Sequence, residues 1–433
     1  MPSPLRFIPW FCGLPCEPMT LEVREEGPIV AEGGCPACRL EVALFHEEDR
    51  PPRVAGKDVS AERAIEAAVR ILKEARAPFV YGLSLSSTAT ARRAIALAEA
   101  IGAALDVEGS EAIQADLVAL STLGLPSATF GEIRDRADLF LLWRCDPRRS
   151  HPGIFAGRER FGEAGVRPRP VILVPPPGAA GAATDRMLPV DGGADLDAAL
   201  ALRALVNGAR PQGGRPGGVP VALLDEAALA LRQARYSAIL WDPSTSSSGP
   251  GVAIAMTLTL LGRDLNATTR SAVRPLGAGG NVAGAVAALA AATGYPRAVS
   301  FAGGATRCAP GEFDAARMIG AQGADVLLLV GARAVEPAPG PGIIVLGPRL
   351  PRGVDNPDVW IPTATPGLSA AGMAARADGV TVILKALVPA RLPTEEAVLD
   401  RLLGPLVAKS RSGTARGAPS DADRQARSVP RRG

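Results

Sequence analysis

Short, unbroken apolar runs are the feature of this sequence that most constrains its fold. LFLLW at 139–143, VILV at 171–174 and VLLLV at 326–330 are each bordered by charged or turn-forming residues. Runs of this length and composition are typical of strands that are buried on both faces, as in a parallel sheet. The pattern predicts strands over 78–81, 138–143, 171–174, 238–241, 325–330 and 343–346.

Amphipathic segments between these runs predict helices. Ser60 is a good N-cap for a helix whose apolar face includes Ile65 and Leu72. A second helix is expected to end at Gly102, because glycine readily adopts the left-handed conformation of a helix terminus. An alanine-rich helix is predicted near 281–293. Helices that alternate with buried strands predict a doubly wound, parallel α/β fold.

Glycine and proline divide the chain into units. PPPG at 175–178 and ARPQGGRPGGVP at 209–220 bracket a change of unit. RADLFLLWRCDP (136–147) is echoed by GADVLLLVGARAVEP (323–337), which indicates two similar α/β halves. We expect a small β-rich, cysteine-containing domain (1–50), two doubly wound α/β domains (51–208 and 209–406) and a disordered basic tail (407–433).

Charge and hydropathy exclude several classes of partner. The formal net charge is only +3, and the basic excess gathers in the last part of the chain, so no folded surface is marked for nucleic acid. No apolar run reaches the roughly 18 residues that span a membrane, and the start of the chain lacks the pattern of a secretory leader. We expect a cytoplasmic protein that binds neither nucleic acid nor a membrane.

Four of the six cysteines, Cys12, Cys16, Cys35 and Cys38, fall near the start of the chain. Their two close pairs let a short segment wrap a single ion or cluster. Four thiolates can close a tetrahedral zinc site or hold a four-iron four-sulfur cluster. The spacing equally allows small hydrophobic core residues, or reduced thiols left from a lost site. We predict them as candidate metal ligands of a zinc site or an iron–sulfur remnant.

Three loops carry further groups of chemical interest. Cys145, Asp146 and His151 follow a predicted strand and could supply a nucleophile and a base, although a structural turn is favoured. GAGGNVAG at 277–284 could cradle a phosphate on backbone N–H groups, but no P-loop lysine follows, and close backbone packing explains the glycines equally well. The hydroxyls of GLSLSST at 82–88 could bind an anion or cap the next helix.

Several motifs, taken together and in order, resemble one enzyme family. They are FCGLPC with the later Cys35, APFVYGLSLSST (77–88), GEIRDRADLFLLWRCDPRRSHP (131–152), GNVAG (280–284), GYP (294–296), APGEFDA (309–315) and ARADGVTVILK (375–385). The set resembles the B subunit of formylmethanofuran dehydrogenase, within the broader fold of molybdopterin and tungstopterin oxidoreductases such as formate dehydrogenase. The resemblance covers most of residues 10–390, and no single motif would be specific.

The resemblance implies an amino-terminal four-iron four-sulfur cluster held by Cys-x2-Cys-x3-Cys and a distant fourth cysteine. Cys12, Cys16 and Cys35 stand at the second, third and fourth ligand positions, but Pro9 stands at the first. Because proline cannot ligate iron, an intact cluster would need Cys38 as a substitute.

The resemblance also implies a Cys–His pair in which the cysteine ligates tungsten or molybdenum. The corresponding stretch here, 106–132, contains neither residue type. We therefore expect that no tungsto- or molybdopterin is bound and that its site is lost. The loop with Cys145, Asp146 and His151 resembles the family's Cys-Asn-Pro and His-Pro positions, and we interpret it as the remnant of an active site.

These departures favour a related group without redox chemistry, the bacterial formyltransferase/hydrolase complex. Such complexes convert formyl-tetrahydromethanopterin to formate through a furan-containing, methanofuran-like carrier, using a hydrolase (A), a C component and a formyltransferase (D). We predict a scaffold B subunit with no catalytic or cofactor-binding residue, which meets the carrier only indirectly. One alternative is a working tungsten or molybdenum enzyme with Ser110 or Glu108 as an oxygen ligand. Another is a zinc-stabilised interaction protein outside one-carbon metabolism.

Overall fold

The computed structural model describes residues 4–24, 27–45, 50–155, 169–179, 181–243 and 250–414. The helices are α1 Pro36–Ala43, α2 Ala61–Glu74, α3 Thr88–Ile101, α4 Gln114–Leu123, α5 Phe130–Arg136, α6 Asp195–Val206, α7 Val221–Gln233, α8 Gly251–Leu265, α9 Val282–Thr293 and α10 Glu395–Thr414. The strands are β1 Leu5–Phe7, β2 Met19–Arg24, β3 Gly27–Gly33, β4 Arg53–Val54, β5 Lys57–Asp58, β6 Pro78–Gly82, β7 Ala104–Val107, β8 Leu139–Trp143, β9 Val171–Val174, β10 Arg186–Met187, β11 Ser237–Trp241, β12 Ser271–Pro275, β13 Val299–Ser300, β14 Arg307–Cys308, β15 Val326–Val330, β16 Gly342–Leu346, β17 Val359–Ile361, β18 Gly372–Ala375 and β19 Thr381–Leu384. Within these residues, no helix is long and apolar enough to cross a membrane.

The larger sheet has nine strands in the order β14-β13-β7-β6-β15-β16-β17-β4-β5. The five strands from β7 to β17 run parallel, and the outer strands pair antiparallel. The central strands β6 and β15 are buried along their whole length, as their unbroken apolar sequences require. Helices α2, α3, α9 and α10 pack their apolar side chains on one face of this sheet.

The smaller sheet has five parallel strands in the order β10-β9-β8-β11-β12. Trp143 of β8 and Trp241 of β11 are direct neighbours in its register. Their indole N–H groups donate to Asp195 at 2.8 Å and to Asp116 at 2.9 Å, respectively. Because both polar atoms have partners, these two large rings can be fully buried.

Both sheets take strands from both sides of the predicted domain boundary at 208/209. Strand β6, from the predicted domain 51–208, pairs with β15 from the predicted domain 209–406. In the same way, β8 pairs with β11. The larger sheet therefore combines two separate stretches of chain, 53–107 and 299–361, whereas the smaller sheet is formed by the continuous stretch 139–275 between them. Hydrophobic periodicity reveals a buried strand but not its neighbour, because a long crossover can deliver a parallel strand from either side.

The start of the chain forms the small β-rich unit that the sequence predicts. Strands β1, β2 and β3 make an antiparallel sheet, and α1 follows directly. Trp10 and Phe11 pack in its core with Leu368 and Leu384, which belong to the region of the β18–β19 hairpin. The unit is therefore anchored on the far end of the chain. Together with the two parallel sheets, it confirms the predicted fold class.

Local signals place the helix ends correctly. The Ser60 hydroxyl caps α2 by accepting a hydrogen bond from the Arg63 N–H at 3.3 Å. Gly102 ends α3 with a left-handed φ of 66°. At the other end of the chain, α10 continues to Thr414, so the first residues of the predicted disordered tail are helical. Residues 415–433 of that tail lie outside the described residues.

Candidate functional site

The four amino-terminal cysteines converge on one point. Cys12 and Cys16 lie between β1 and β2, Cys35 is the N-cap of α1, and Cys38 lies in its first turn. Their Sγ atoms all lie within 4.8 Å of one another, and the four side chains are buried. Each is a free cysteine. A cluster of this chemistry can hold a metal ion.

The backbone around the cluster directs the sulfur atoms inward. The Gly13 N–H donates to the Trp10 carbonyl at 2.9 Å and closes a turn that contains Cys12. The Cys35 N–H donates to Cys16 Sγ at 3.2 Å and so joins the two cysteine pairs. Because Cys35 and Cys38 are three residues apart at the start of a helix, their sulfurs lie on the same face.

Hydrogen bonds among the four sulfurs lower the pKa of two of these cysteines and raise the pKa of the other two. Hydrogen bonding to Cys12 is the largest cause that lowers the pKa of Cys16 and of Cys35. Hydrogen bonding to Cys16 raises the pKa of Cys12, hydrogen bonding to Cys12 raises that of Cys38, and burial adds to both. Four sulfurs this close cannot all be anionic without a cation among them. Metal binding would therefore release the remaining thiol protons.

The loop after β8 does not pair a nucleophile with a base. Cys145 Sγ donates to the Leu240 carbonyl across 3.6 Å, and burial raises the pKa of this thiol. His151 Nδ1 instead pairs with Ser150 Oγ at 3.0 Å. Because the two side chains are turned to different partners and the thiol is held protonated, this loop has the contacts of a structural turn.

The rest of this loop is held by an ion-pair network and touches the cysteine cluster. Arg148 donates to Asp146 at 2.6 Å and to Asp185 at 2.8 Å, and its hydrogen bond lowers the pKa of Asp146. The His151 side chain is among the groups that lower the pKa of Cys35. Its Nε2 atom has no hydrogen-bond partner among the described residues. The loop that resembles part of an active site therefore places a histidine close to the cluster.

The two oxygen side chains considered as tungsten or molybdenum ligands are engaged elsewhere. Ser110 is fully buried and donates to Asp106 Oδ1 at 2.8 Å. Both oxygens of Glu108 accept hydrogen bonds, from the Ser84 hydroxyl and from the consecutive N–H groups of residues 333 and 334. These contacts hold the loop after β7 in place and do not present an oxygen to a ligand.

A cavity of about 550 Å³ lies between α4 and α9, at the carboxyl ends of β11 and β12. Its walls are mostly apolar, with Asp116 and Arg274 among the few charged groups that line it. Asp116 Oδ1 accepts the Trp241 indole N–H, while Oδ2 has no partner among the described residues. Burial raises the pKa of Asp116 to about 7 and lowers the pKa of Arg274. The carboxyl ends of parallel strands are where α/β proteins place their ligands.

The glycine-rich loop 277–284 is a region of close backbone packing. The N–H groups of Gly280 and Asn281 donate to the carbonyls of Phe11 and Ser84. A Cβ atom on Gly280 would lie 2.1 Å from the Ser84 oxygen. Because these amides already have partners, the structure favours the packing interpretation over a phosphate cradle.

The loop 82–88 caps the next helix, which was one of the two roles predicted for its hydroxyls. Ser87 Oγ accepts the Thr90 N–H at 3.0 Å at the start of α3. Beside it, Ser86 Oγ and both carboxyl oxygens of Glu395 are buried without a hydrogen-bond partner among the described residues. Burial raises the pKa of Glu395 to about 8. The sequence carries no signal for the burial of this carboxyl group, because Glu395 looks like an ordinary first-turn acid of α10.

Arg333 is a second residue that sequence reasoning missed. It follows β15, and its guanidinium donates to the Phe11 carbonyl and lies 3.5 Å from the Glu41 carboxylate. It therefore ties the larger sheet to the cysteine unit, next to the glycine-rich loop. Its partners lie about three hundred residues earlier in the chain, so no local pattern could have revealed the contact.

Comparisons with known proteins find relatives that match most of the chain. The chain is 30% identical over 377 residues to the B subunit of the formyltransferase/hydrolase complex Fhc of Methylorubrum extorquens, a match that covers 82% of this chain and 98% of the relative. It is 29% identical over 418 residues to the B subunit of the tungsten-containing formylmethanofuran dehydrogenase 2 of Methanocaldococcus jannaschii, covering 90% and 94%. The chain belongs to the family of B subunits that includes those of the Fhc complex and of formylmethanofuran dehydrogenase. No protein-family model matches it.

Solved structures show the same relationship for this family member. A chain of the FhcABCD complex from Methylorubrum extorquens, crystallised with methylofuran, has a TM-score of 0.70 and 28% identity, covering 83% of this chain and 99% of that one. Acetylene hydratase from Pelobacter acetylenicus has a TM-score of 0.64 at 10% identity, covering 95% and 70%. The second likeness shows the shared fold alone.

The cysteine cluster differs from the ligand pattern that the sequence resemblance implies. The structure brings Cys38 together with Cys12, Cys16 and Cys35. Pro9, at the first ligand position that the resemblance implies, supplies no donor atom. The stretch 106–132 likewise supplies no sulfur or imidazole.

Proposed function

We propose that this chain is the B subunit of a cytoplasmic formyltransferase/hydrolase complex and serves there as a scaffold without a redox step of its own. In this proposal a hydrolase and a formyltransferase, as separate subunits, perform the chemistry. The complex passes a formyl group from formyl-tetrahydromethanopterin, through a furan-containing carrier, to release formate. The carrier meets the scaffold chain only indirectly.

The engagement of Ser110 and Glu108 is the observation that carries this proposal. A tungsten or molybdenum centre needs a sulfur or oxygen donor from the protein at the position that the family resemblance implies. The stretch 106–132 has no cysteine or histidine, and the two oxygen donors considered there already bond to the protein interior. Freeing Ser110 would leave buried Asp106 short of a hydrogen bond, at a cost of about 1–3 kcal/mol.

The cavity between α4 and α9 also fits poorly with a phosphate-bearing pterin. Among the described residues that line it, Arg274 is the only cation, and its Nη1 and Nη2 atoms already donate to the carbonyls of Ala377 and Ala128, so that Nε alone lacks a partner. Of the glycine-loop amides, those of Gly280 and Asn281 already donate to the carbonyls of Phe11 and Ser84. An anionic cofactor would also face the unpartnered oxygen of Asp116. No step of the proposed reaction is therefore assigned to a pterin.

A working tungsten-dependent enzyme is the second candidate. Two relatives are named as B subunits of tungsten-containing formylmethanofuran dehydrogenases, at 29% and 26% identity over most of the chain. The absence of a sulfur or imidazole donor in 106–132 argues against this candidate. The two functions differ in a measurable way, because dehydrogenation delivers two electrons to an acceptor, whereas formyl transfer and hydrolysis deliver none.

Affinity purification of the full-length chain from its native host tests the assembly. The chain with a terminal tag should bring down the hydrolase, the formyltransferase and the C subunit in stable proportion, identified by mass spectrometry after size-exclusion chromatography. The purified assembly should release formate from the formylated carrier without reducing a dye acceptor. Recovery of the tagged chain alone, at native abundance, would contradict the scaffold role, and dye reduction would favour the second candidate.

A further inference from the structure

We propose that Cys12, Cys16, Cys35 and Cys38 bind a single zinc ion in a tetrahedral structural site, and not the four-iron four-sulfur cluster that the family resemblance implies. This proposal concerns the amino-terminal unit and does not depend on the scaffold function. A zinc site would be compatible with either function proposed above, so the two proposals can fail separately.

The spacing of the sulfur atoms is the first argument. All four Sγ atoms lie within 4.8 Å of one another. A tetrahedral zinc ion with Zn–S bonds of about 2.3 Å sets its sulfurs about 3.8 Å apart. A four-iron cluster binds each thiolate to a different iron and places its own iron and sulfide atoms between them, so it needs a wider cage. The observed cage has the size for one ion.

The use of Cys38 as the fourth ligand, in place of position 9, explains why the four sulfurs lie so close together. Pro9 removes the first ligand position implied for the cluster, and Cys38 supplies the fourth sulfur instead. Cys38 lies one helical turn after Cys35, so these two sulfurs stand side by side on α1. Cys12 and Cys16 form a second close pair on the opposite loop. Two close pairs on facing segments are typical of structural zinc sites.

The surroundings of the sulfurs favour metal-bound thiolates over simple core packing. The Cys35 N–H donates to Cys16 Sγ at 3.2 Å, a contact that strengthens when the sulfur is anionic. Cys38 has no accessible surface and Cys35 is 3% exposed, so solvent cannot compensate their charge. A purely apolar core would not need four sulfur atoms to converge. A divalent cation balances the charge that the thiolates bring together.

The unit around the cluster also has reason to need a metal. Its described residues, 4–24 and 27–45, form three short strands and one helix of eight residues. Units of this size bury too little apolar surface to be stable without additional cross-links. Structural zinc contributes directly to folding in such units. We therefore expect zinc to hold the amino-terminal unit against the glycine-rich loop and Arg333.

Metal and sulfide analysis of the complete complex, purified with and without oxygen, tests this assignment. The expected result is one zinc per chain in both preparations, with no acid-labile sulfide and no visible absorption from an iron–sulfur cluster. Four irons with four sulfides per chain in the oxygen-free preparation would overturn the proposal. Absence of any metal from the cysteine site in both preparations would overturn it as well.

A matched pair of variants locates the ion. Cys38→Ser should lose zinc several-fold, whereas Cys308→Ser, at a half-buried cysteine outside the cluster, should keep it. If Cys38→Ser does not fold, cobalt exchange into the unmodified complex replaces it. Cobalt should then show the sulfur-to-metal charge-transfer and ligand-field bands of a tetrahedral tetrathiolate site. A six-coordinate oxygen-ligated cobalt spectrum, or equal zinc loss in both variants, would contradict the assignment.

Discussion

Ser110 Oγ donates a hydrogen bond to Asp106 Oδ1 across 2.8 Å, and both side chains are fully buried. Arg297 lies on the other side of Asp106, with Nη2 at 3.2 Å from Oδ2. Burial raises the pKa of Asp106, although Arg297 and the hydrogen bonds act in the opposite direction. The hydroxyl considered as a metal ligand is thus part of a closed internal network that stabilises the loop after β7.

Removing the cation from this network should be costly. We expect Arg297→Met to lower the free energy of unfolding by about 3–5 kcal/mol at neutral pH, because Asp106 would remain buried without its partner. Arg93→Met is the matched control, since the Arg93–Asp400 pair is about half exposed and should change stability by less than about 1 kcal/mol. Urea denaturation followed by circular dichroism measures both. An equal loss of unfolding free energy in both variants would show that the buried Asp106–Arg297 pair contributes no more to stability than the exposed Arg93–Asp400 pair.

Glu395 should make stability depend on pH. Its pKa rises from a reference value of 4.5 to about 8 because the carboxyl group is fully buried, so the folded state holds the proton more tightly than the unfolded chain. The free energy of unfolding is therefore highest below pH 4.5 and falls as pH rises from 4.5 to about 8, by up to about 1.4 kcal/mol for each unit of pKa difference. We expect Glu395→Gln to melt several degrees above the wild type at about pH 8.5, with a small difference at about pH 5.

Thermal melts across this pH range test the Glu395 prediction. Glu66→Gln, at an exposed position on α2, reports the effect of removing an acidic charge alone. If Glu395→Gln follows the wild-type profile at every pH, the buried carboxyl does not control this dependence.

Gly280 should not tolerate a side chain. Its φ is +51°, and a Cβ atom would lie 2.1 Å from the Ser84 carbonyl oxygen and 3.0 Å from Arg333 Nη2. We expect Gly280→Ala to destabilise the protein by at least about 2 kcal/mol, through backbone strain and loss of the contact with the cysteine unit. Gly192→Ala meets no atom within 4 Å and is the control, expected to be neutral or slightly stabilising. A Gly280→Ala variant as stable as the control would show that the loop is free to move.

Much of the local structure could be predicted because short-range physics decides it. The strand predicted at 171–174 is β9 with the same bounds, and Ser60 and Gly102 mark the helix ends where their chemistry places them. The pairing of β6 with β15 could not be predicted, since it depends on which distant strand arrives at that edge. The insertion of the smaller sheet between the two stretches of the larger sheet follows from this long-range choice.

The residues of the candidate site also differ in whether they could be predicted from the sequence. The four cysteines could be predicted as a set, because two close pairs of sulfur ligands are conspicuous in a sequence and the fold brings them together. Glu395 and Arg333 could not be, because each resembles an ordinary surface residue until its distant partners are known. The loop with Cys145 and His151 looked like an active site, and only the contact of Cys145 with Leu240 shows that its thiol is turned into the core.

The most direct test of the central claim is the tungsten, molybdenum and pterin content of the native complex, purified under oxygen-free conditions. The account predicts that neither metal and no pterin is present at a meaningful fraction of the scaffold chain, while the complex still releases formate from the formylated carrier. Stoichiometric tungsten or molybdenum with bound pterin, reduced by substrate during turnover, would contradict it.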